Sequence, residues 1–491
     1  MVQIGKMNTF RFYFFKALSS RKTFVLLLWM NILFTGTVFL FYINDNGKDF
    51  YSYDGLAEGI LHGRYSYWWF LPEYIPDTFR NPGYPLFLAS IKWVVNNKIV
   101  VKLTQLILYA LSVKWTLSLL EVIFENSYRI KNIFLILLSP CVFIGLYACY
   151  FLPEILTLFL LTLFLYTYFV IQIQKHVQYL FLGLIAGALF QVRPVFIFFP
   201  IILLIHELLV IKKRQNVTTY FVFFFVYLLT MLPYGYWNYK HHKVFKITSL
   251  EGGAGVLHLG YWAPKMPGIS VSRYWNNRMG NEYIQFVDKE DVKSNVSQFN
   301  AEYDEIENKC KHLLNSLDFE MLEKHIKHFE LPRTFNSEYT LIRESLLFEK
   351  AIQNYSIDIG FTIKTKIYTF FRLWVTGVNK THFEKEKSVF RKLILIYPFL
   401  ISFVMFVLLL FSLPFLLVKM KVKKVYFLVS ILLYIGLMYV PFTIQARYTI
   451  PVRLIQIMLI SGVINWLIKK WVAINPKFDC LYFDPKEENK F

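Results

Sequence analysis

Eight polar side chains stand where an apolar chain has little use for them: Asp49, Asp54, Arg80, Glu154, Arg193, Asn238, Glu251 and Arg447. Each sits at or near the end of an apolar run, and charge there is costly unless it pairs or works. A positioned carboxylate can take a proton from a hydroxyl as a bond forms to it. Fixed guanidiniums can grip an anion in a bidentate way and stabilise charge that grows on it. Carboxylates and arginines together therefore point to a site for an anionic substrate.

The densest stretch is residues 44–89, NDNGKDFYSYDGLAEGILHGRYSYWWFLPEYIPDTFRNPGYPLFLA with its first and last residues Asn44 and Ala89. Tyr53, Leu56, Ala57, Ile60 and Leu61 recur at helical spacing, so a short helix with one apolar face is predicted. It is too short to span a bilayer, and Asp54, Glu58 and His62 occupy its other side. Such a helix lies along the membrane surface. Tyr65, Tyr67, Trp68, Trp69 and Phe70 form an aromatic cluster suited to the lipid–water boundary. Arg80-Asn81-Pro82-Gly83-Tyr84-Pro85 then makes a rigid turn that returns a cation to the same surface. Carboxylate, cation and interfacial helix in one loop fit a lipid-linked anionic substrate.

The elements that must position these residues are transmembrane helices. The chain has 491 residues, 56% of them hydrophobic and 19% aromatic, with mean hydropathy +0.42. A soluble protein needs no such apolar excess. The net charge of +20 is not a nucleic-acid footprint, because Lys and Arg cluster in short loops between apolar runs, as cytoplasmic loops do. The four cysteines, Cys141, Cys149, Cys310 and Cys480, show neither metal spacing nor a disulfide framework. No Gly-rich phosphate loop is present.

Apolar runs at 23–43, 99–124, 131–147, 151–173, 179–191, 195–211, 220–236, 393–418, 425–442 and 449–468 predict an all-α polytopic membrane protein of about ten spans. Basic residues at each alternate loop place both termini in the cytoplasm and the 44–89 loop outside. The expected organisation is an N-terminal membrane region 1–236, an extracytoplasmic domain 237–391, C-terminal membrane helices 392–470 and a cytoplasmic tail 471–491. The extracytoplasmic domain reads as small and mostly helical. Phe299, Tyr303, Ile306, Cys310, Leu313 and Leu317 form one helical stripe, and Tyr339, Ile342, Leu346 and Ile352 another. No metal or cofactor is indicated. A divalent cation is left open by His241-His242 and His325-x2-His328, for which a solvated helix face is the plainer explanation.

Asp49-x3-Tyr53-x3-Ala57-x5-Gly63, followed by Arg80-x-Pro82-Gly83-Tyr84-Pro85, resembles the first outer loop of the GT-C membrane glycosyltransferases of the family 39 type. These include the protein mannosyltransferases and the bacterial aminoarabinose–lipid A transferases. The resemblance continues in Pro153-Glu154, in Gly183-x3-Gly187 leading to Arg193-Pro194, and in Pro233 with Asn238-Tyr239 before a Gly-Gly turn. It ends in Arg447-Tyr448-x2-Pro451. It implies a polyprenyl-phosphate sugar donor, a lipid, glycan or protein acceptor, and an inverting transfer on the outer face of a bacterial inner membrane. Asp49 is then the expected base, with Asp54 as the alternative. Arg80, Arg193 and Arg447 are expected at the donor phosphate, and Glu154 orients an arginine or a sugar hydroxyl. Tyr53, Tyr84, Asn238 and Glu251 complete the substrate site. A lipid-linked saccharide flippase or transporter is the rival class, and a polysaccharide polymerase or ligase is closer in chemistry. A transporter would carry charge in mid-span and paired broken helices, and neither is seen.

Overall fold

The computed structural model describes residues 15–47, 49–211, 217–266, 287–314, 336–375, 386–420, 422–442 and 445–474. Among them the regular structure is entirely helical. The first half contributes α1 (Arg21–Tyr42), α2 (Phe50–Leu61), α3 (Gly83–Val94), α4 (Lys98–Ile123), α5 (Tyr128–Leu138), α6 (Glu154–Phe169), α7 (Lys175–Val192), α8 (Val217–Leu229) and α9 (Leu232–His242). A middle group follows: α10 (Gly253–Trp262), α11 (Lys289–Cys310), α12 (Ser337–Ile357) and α13 (Ile359–Leu373). The chain ends with α14 (Val389–Pro414), α15 (Lys423–Tyr439) and α16 (Arg453–Ile474).

Five helical stretches are long and apolar enough to cross a membrane: Arg21–Tyr42, Lys98–Ile123, Val217–His242, Arg391–Met420 and Arg447–Val472. A sixth exists if Tyr128–Cys141 and Phe143–Cys149, bent by 58°, form one span. This is fewer than the ten apolar runs. Glu154–Phe169 has 16 residues, about 24 Å of helix against roughly 30 Å of hydrocarbon. Lys175–Val192 has the length but is diluted by Lys175, His176, Gln178 and Gln191. The spans are ordered around Arg447–Val472, whose apolar window is 83% buried within the protein, against 11% for Arg21–Tyr42. The first is the axis of the bundle and the second its lipid-facing edge. Several polar residues in the spans find partners inside the protein, which lipid cannot supply. Asn31 of α1, for example, donates to the Leu135 carbonyl at 3.2 Å and to Ser139 Oγ at 2.9 Å.

Two backbone approaches set the neighbourhood of the site. A Cβ on Gly83 would stand 2.5 Å from the Gln191 carbonyl carbon, so the start of α3 packs directly on the end of α7. On α7, a Cβ on Gly183 would stand 2.7 Å from the Phe223 carbonyl oxygen, and one on Gly187 would run into Thr230. The small-x3-small spacing thus seats α7 against α8, as in membrane helix pairs generally.

The middle helices form a separate layer with its own core of Leu259, Trp262, Phe299, Tyr303, Ile306 and Leu347. The α11 stripe is buried as expected at Phe299, Tyr303, Ile306 and Cys310, and Leu317 lies outside the described residues. The α12 stripe is inside only in part, with Tyr339 buried and Leu346 packed against the same core. Ile342 and Ile352 are exposed, and beside Tyr339 the buried face carries Thr340, Arg343, Glu344, Leu347, Ala351 and Asn354. That face is polar because it meets polar partners. Glu302 of α11 is the hub: its carboxylate accepts from His258 Nε2 at 2.8 Å, Asn354 Nδ2 at 2.9 Å and Trp262 Nε1 at 3.0 Å. Burial alone would raise the Glu302 pKa, but these bonds outweigh it and leave it below the ordinary 4.5.

The layer therefore gains stability from Glu302 that is fully present above pH 4.5 and lost as pH falls through the lowered value. Glu302→Gln keeps the shape and removes the charge. Hydrogen bonds to a charged group are worth about 1.5–3 kcal/mol each. Hydrogen exchange should show α10, α11 and α12 losing protection at pH 7 while α4 and α16 keep theirs. Unchanged protection of α10 and α12 would remove Glu302 from this role.

Candidate functional site

Between the bundle and the middle layer lies a cavity of about 820 Å³. Its floor is built from chain ends. Lys102 of α4, almost fully buried, donates to the Asp45 carbonyl at 2.9 Å and to that of Ile43, and so fixes the chain leaving α1. Asp49 is the N-cap of α2 but makes no side-chain cap. Its carboxylate instead meets Arg447 Nη2 at 2.7 Å and Arg80 Nη2 at 3.6 Å. Arg80 is set by the turn before it: Asp77 Oδ2 accepts from the backbone N–H groups of Phe79 and Arg80 at 3.0 and 2.8 Å. The Arg80 guanidinium donates to Ser52 Oγ at 3.1 Å and lies over the rings of Tyr53 and Phe79. Burial raises the Tyr53 pKa, opposed by Arg80, so the phenol stays protonated.

Glu154 opens α6 directly after Pro153 and is fully buried. Arg193 Nη2 donates to Glu154 Oε1 at 2.6 Å, and Arg447 Nε stands 3.6 Å from the same oxygen. Arg193 Nη1 also donates to the Tyr439 hydroxyl at 2.9 Å. Tyr448 stacks on Tyr439, centroids 4.5 Å apart, with the Arg193 and Arg447 guanidiniums 5.5 and 5.9 Å from its ring. The floor thus holds three guanidiniums against two carboxylates, one net positive charge. The positive end of α6 adds to it.

The roof is residues 246–257 with one side of α12. Asn238 Nδ2 donates to the carbonyls of Lys246 and Thr248. Asn81 Oδ1 accepts from Ser249 N–H at 2.9 Å, and the Thr78 carbonyl accepts from Leu250 and Glu251 N–H, each at 2.9 Å. The roof is therefore laced to the 77–81 turn that carries Arg80. Gly252, at φ +97°, turns the chain into α10, and Glu344 Oε2 accepts from Ala254 N–H at 3.0 Å to cap it. Lys246 Nζ donates to the Leu250 carbonyl at 3.1 Å; burial lowers its pKa while Glu344 opposes the shift. Val195, Leu257, Phe348, Met438 and Phe442 give the cavity an apolar edge.

Of the residues singled out in the sequence, Asp49, Tyr53, Arg80, Glu154, Arg193, Glu251 and Arg447 line this one cavity. Three do not. Asp54 faces away on α2, where it and Glu58 pair with the buried Lys92, at 2.6 Å for Asp54. Tyr84 lies beneath Tyr53, ring to ring at 4.9 Å, with its hydroxyl donating to Gln105 Oε1 at 3.0 Å. Asn238 stands behind the roof. The aromatic cluster is also placed otherwise than expected. Tyr67 and Trp68 are buried against Leu56, and Tyr65 donates to the Arg80 carbonyl at 2.7 Å. These rings are the core of the loop, and Phe70 alone of the five is exposed. No group of three or more His, Cys, Asp or Glu side chains suited to a metal occurs among the described residues, and His325 and His328 lie outside them. Sequence reasoning missed Ser52, Lys102, Lys246, Glu344 and Tyr439. Glu344 was hidden because the α12 apolar pattern put it on the solvent face.

Comparison with family models, curated proteins and solved structures gave no match. The geometry stands on its own.

Removing a buried ion's partner leaves an uncompensated charge and costs about 3–5 kcal/mol. Glu154→Gln should therefore lower the unfolding midpoint in detergent strongly. Combined with Arg193→Gln it should cost less than the sum, since the pair acts as a unit. A Glu154→Gln protein that melts with the wild type would mean the network carries no energy.

Proposed function

We propose that the chain is a membrane glycosyltransferase that moves a sugar from a polyprenyl-phosphate donor to a lipid, glycan or protein acceptor, with inversion. One observation carries the reading. Two carboxylates and three arginines, drawn from distant parts of the sequence, meet on the floor of a single cavity, facing Lys246, Glu251 and Glu344 of its roof and flanked by an apolar edge. An amphiphile with an anionic head matches those walls: the head on the floor, the chain along Val195, Met438 and Phe442.

In this reading the acceptor oxygen bonds to the anomeric carbon as the bond from that carbon to the phosphate oxygen breaks. The phosphate leaves with the electron pair, and the acceptor's proton passes to Asp49. Arg80 and Arg447 aim the Asp49 carboxylate. Arg193 and Arg447, spaced by Glu154, meet the phosphate together with Arg80, and its charge grows in the transition state. Donors fixed beforehand stabilise that charge without reorganisation. Tyr53 and Glu251 contact sugar or acceptor, while Tyr84 and Asn238 hold the walls in place. Asp54, tied to Lys92 away from the cavity, has no part in the chemistry.

The same reading takes ten crossings, an extracytoplasmic middle layer, and a site facing outward from a bacterial inner membrane. The basic loops support that orientation. Short helices such as α6 would cross with neighbours covering their polar ends. A cysteine introduced at Ser297, exposed on α11, should label from outside intact cells. Labelling from the cytoplasmic side alone would sink the orientation.

Asp49→Asn keeps the shape but cannot accept the proton. Sugar transfer from a polyprenyl-phosphate sugar panel should fall about 10²–10⁴-fold, while donor binding survives on the three arginines. Arg193→Ala and Arg80→Ala should cost about 2.7–4 kcal/mol of transition-state stabilisation, read as loss of kcat/KM for donor. Full transfer by Asp49→Asn removes the base. Lipid movement with no transfer in the wild type makes the protein a transporter.

A further inference from the structure

Helix α13 has a face that none of the described residues covers. Ile359, Ile363, Ile367 and Phe371 recur every fourth residue and are 62, 54, 55 and 42% exposed. Four apolar side chains in one line are not a scattering of surface residues. The helix itself is firmly held on its other side. Thr365, Thr369 and Leu373 are buried. Lys366 Nζ donates to the carbonyls of Gly260 at 2.9 Å and Pro441 at 3.3 Å, and the Phe370 ring fills the space above Gly436.

Three observations choose the occupant. First, the stripe runs on into membrane-facing surface. The Phe371 ring lies 5.8 Å from that of Phe406 in the span Arg391–Met420, whose Phe403 and Val404 are about half exposed. Leu433 and Leu437, flanking Gly436, are exposed as well. Second, the helix ends inside the bundle: the Trp374 carbonyl accepts from Arg453 Nη2 at 2.7 Å, and Trp374 belongs to the bundle core. Third, α13 carries no acidic residue that would repel anionic lipid headgroups.

We propose that α13 lies obliquely in one leaflet of the bilayer, entering from the middle layer at Ile359 and reaching deepest at Phe371. Its apolar stripe rests on lipid acyl chains, and Lys364 reaches back toward the headgroups. The Pro441 carbonyl, held by Lys366 and by the Tyr355 hydroxyl at 2.5 Å, belongs to a segment whose Met438, Tyr439 and Phe442 line the cavity. Lipid and cavity therefore stand on two sides of one strip of chain. The placement does not depend on the proposed activity.

The test uses the full chain in phosphatidylcholine vesicles, with Cys480→Ser as background because Cys141, Cys149 and Cys310 are buried. Ile359→Cys, Ile363→Cys, Ile367→Cys and Phe371→Cys are spin-labelled one at a time, with Ser297→Cys as the aqueous control. Collision rates with oxygen and with a water-soluble nickel chelate are read by electron paramagnetic resonance. Oxygen should dominate at all four positions, and the oxygen-to-nickel ratio should rise from 359 to 371. Nickel access at 363 and 367 equal to that at 297 would overturn the proposal. So would exclusion of both reagents with dipolar coupling between labels, which would mean a second copy of the chain covers the face.

Discussion

The buried carboxylate of Glu154 is the constraint from which the site follows. A carboxylate with no solvent access costs several kcal/mol unless cations surround it. Arg193 and Arg447 supply them from segments far away in sequence, the end of α7 and the 3₁₀ turn Ala446–Val452. Satisfying Glu154 thus fixes where both turns stand. Arg447 then reaches Asp49, and Asp49 reaches Arg80. Five charges are held in one chain of contacts by the protein alone. Ionic hydrogen bonds in a site screened from bulk water are stronger than on a surface, so the arrangement resists the rotamer freedom that long arginines have elsewhere.

A polar floor would be of little use without a roof held at a set distance. The roof is tied to the floor by backbone bonds, not by packing alone. Thr78 and Asn81, from the turn that carries Arg80, receive and hold 249–251. Glu344 then caps α10 and binds the roof to α12. Behind this, Glu302 joins α10, α11 and α12 through one carboxylate. Ionic hubs therefore stand on both sides of the cavity, with the carboxylates of Glu154 and Glu302 both buried. The space between them has its three arginines on the floor and apolar side chains along one edge.

The sequence by itself determined that this is a helical chain with several membrane spans. Hydrocarbon imposes a local rule, that every backbone group be satisfied within its own helix, and a local rule leaves its mark in consecutive residues. The apolar face of α2 was legible for the same reason: Tyr53, Leu56 and Ala57 are buried at the spacing that the pattern gave. Charged residues at the ends of apolar runs were legible as a group, because lipid tolerates them only there or in pairs.

Only the tertiary structure decided which of those charges share a site. Asp49 and Asp54 differ by little in sequence, yet one meets Arg447 across 398 residues and the other meets Lys92 across 38. Nothing in the periodicity of α2 carries that difference. The same holds for α12, where a polar face is inside because Glu302 and the α10 N-terminus wait for it, and for Tyr67 and Trp68, buried by their own loop. Hydrophobic patterning records what a residue does with solvent. Pairing depends on partners brought close by the fold, and Coulomb energy depends on that distance and on the dielectric of the surroundings.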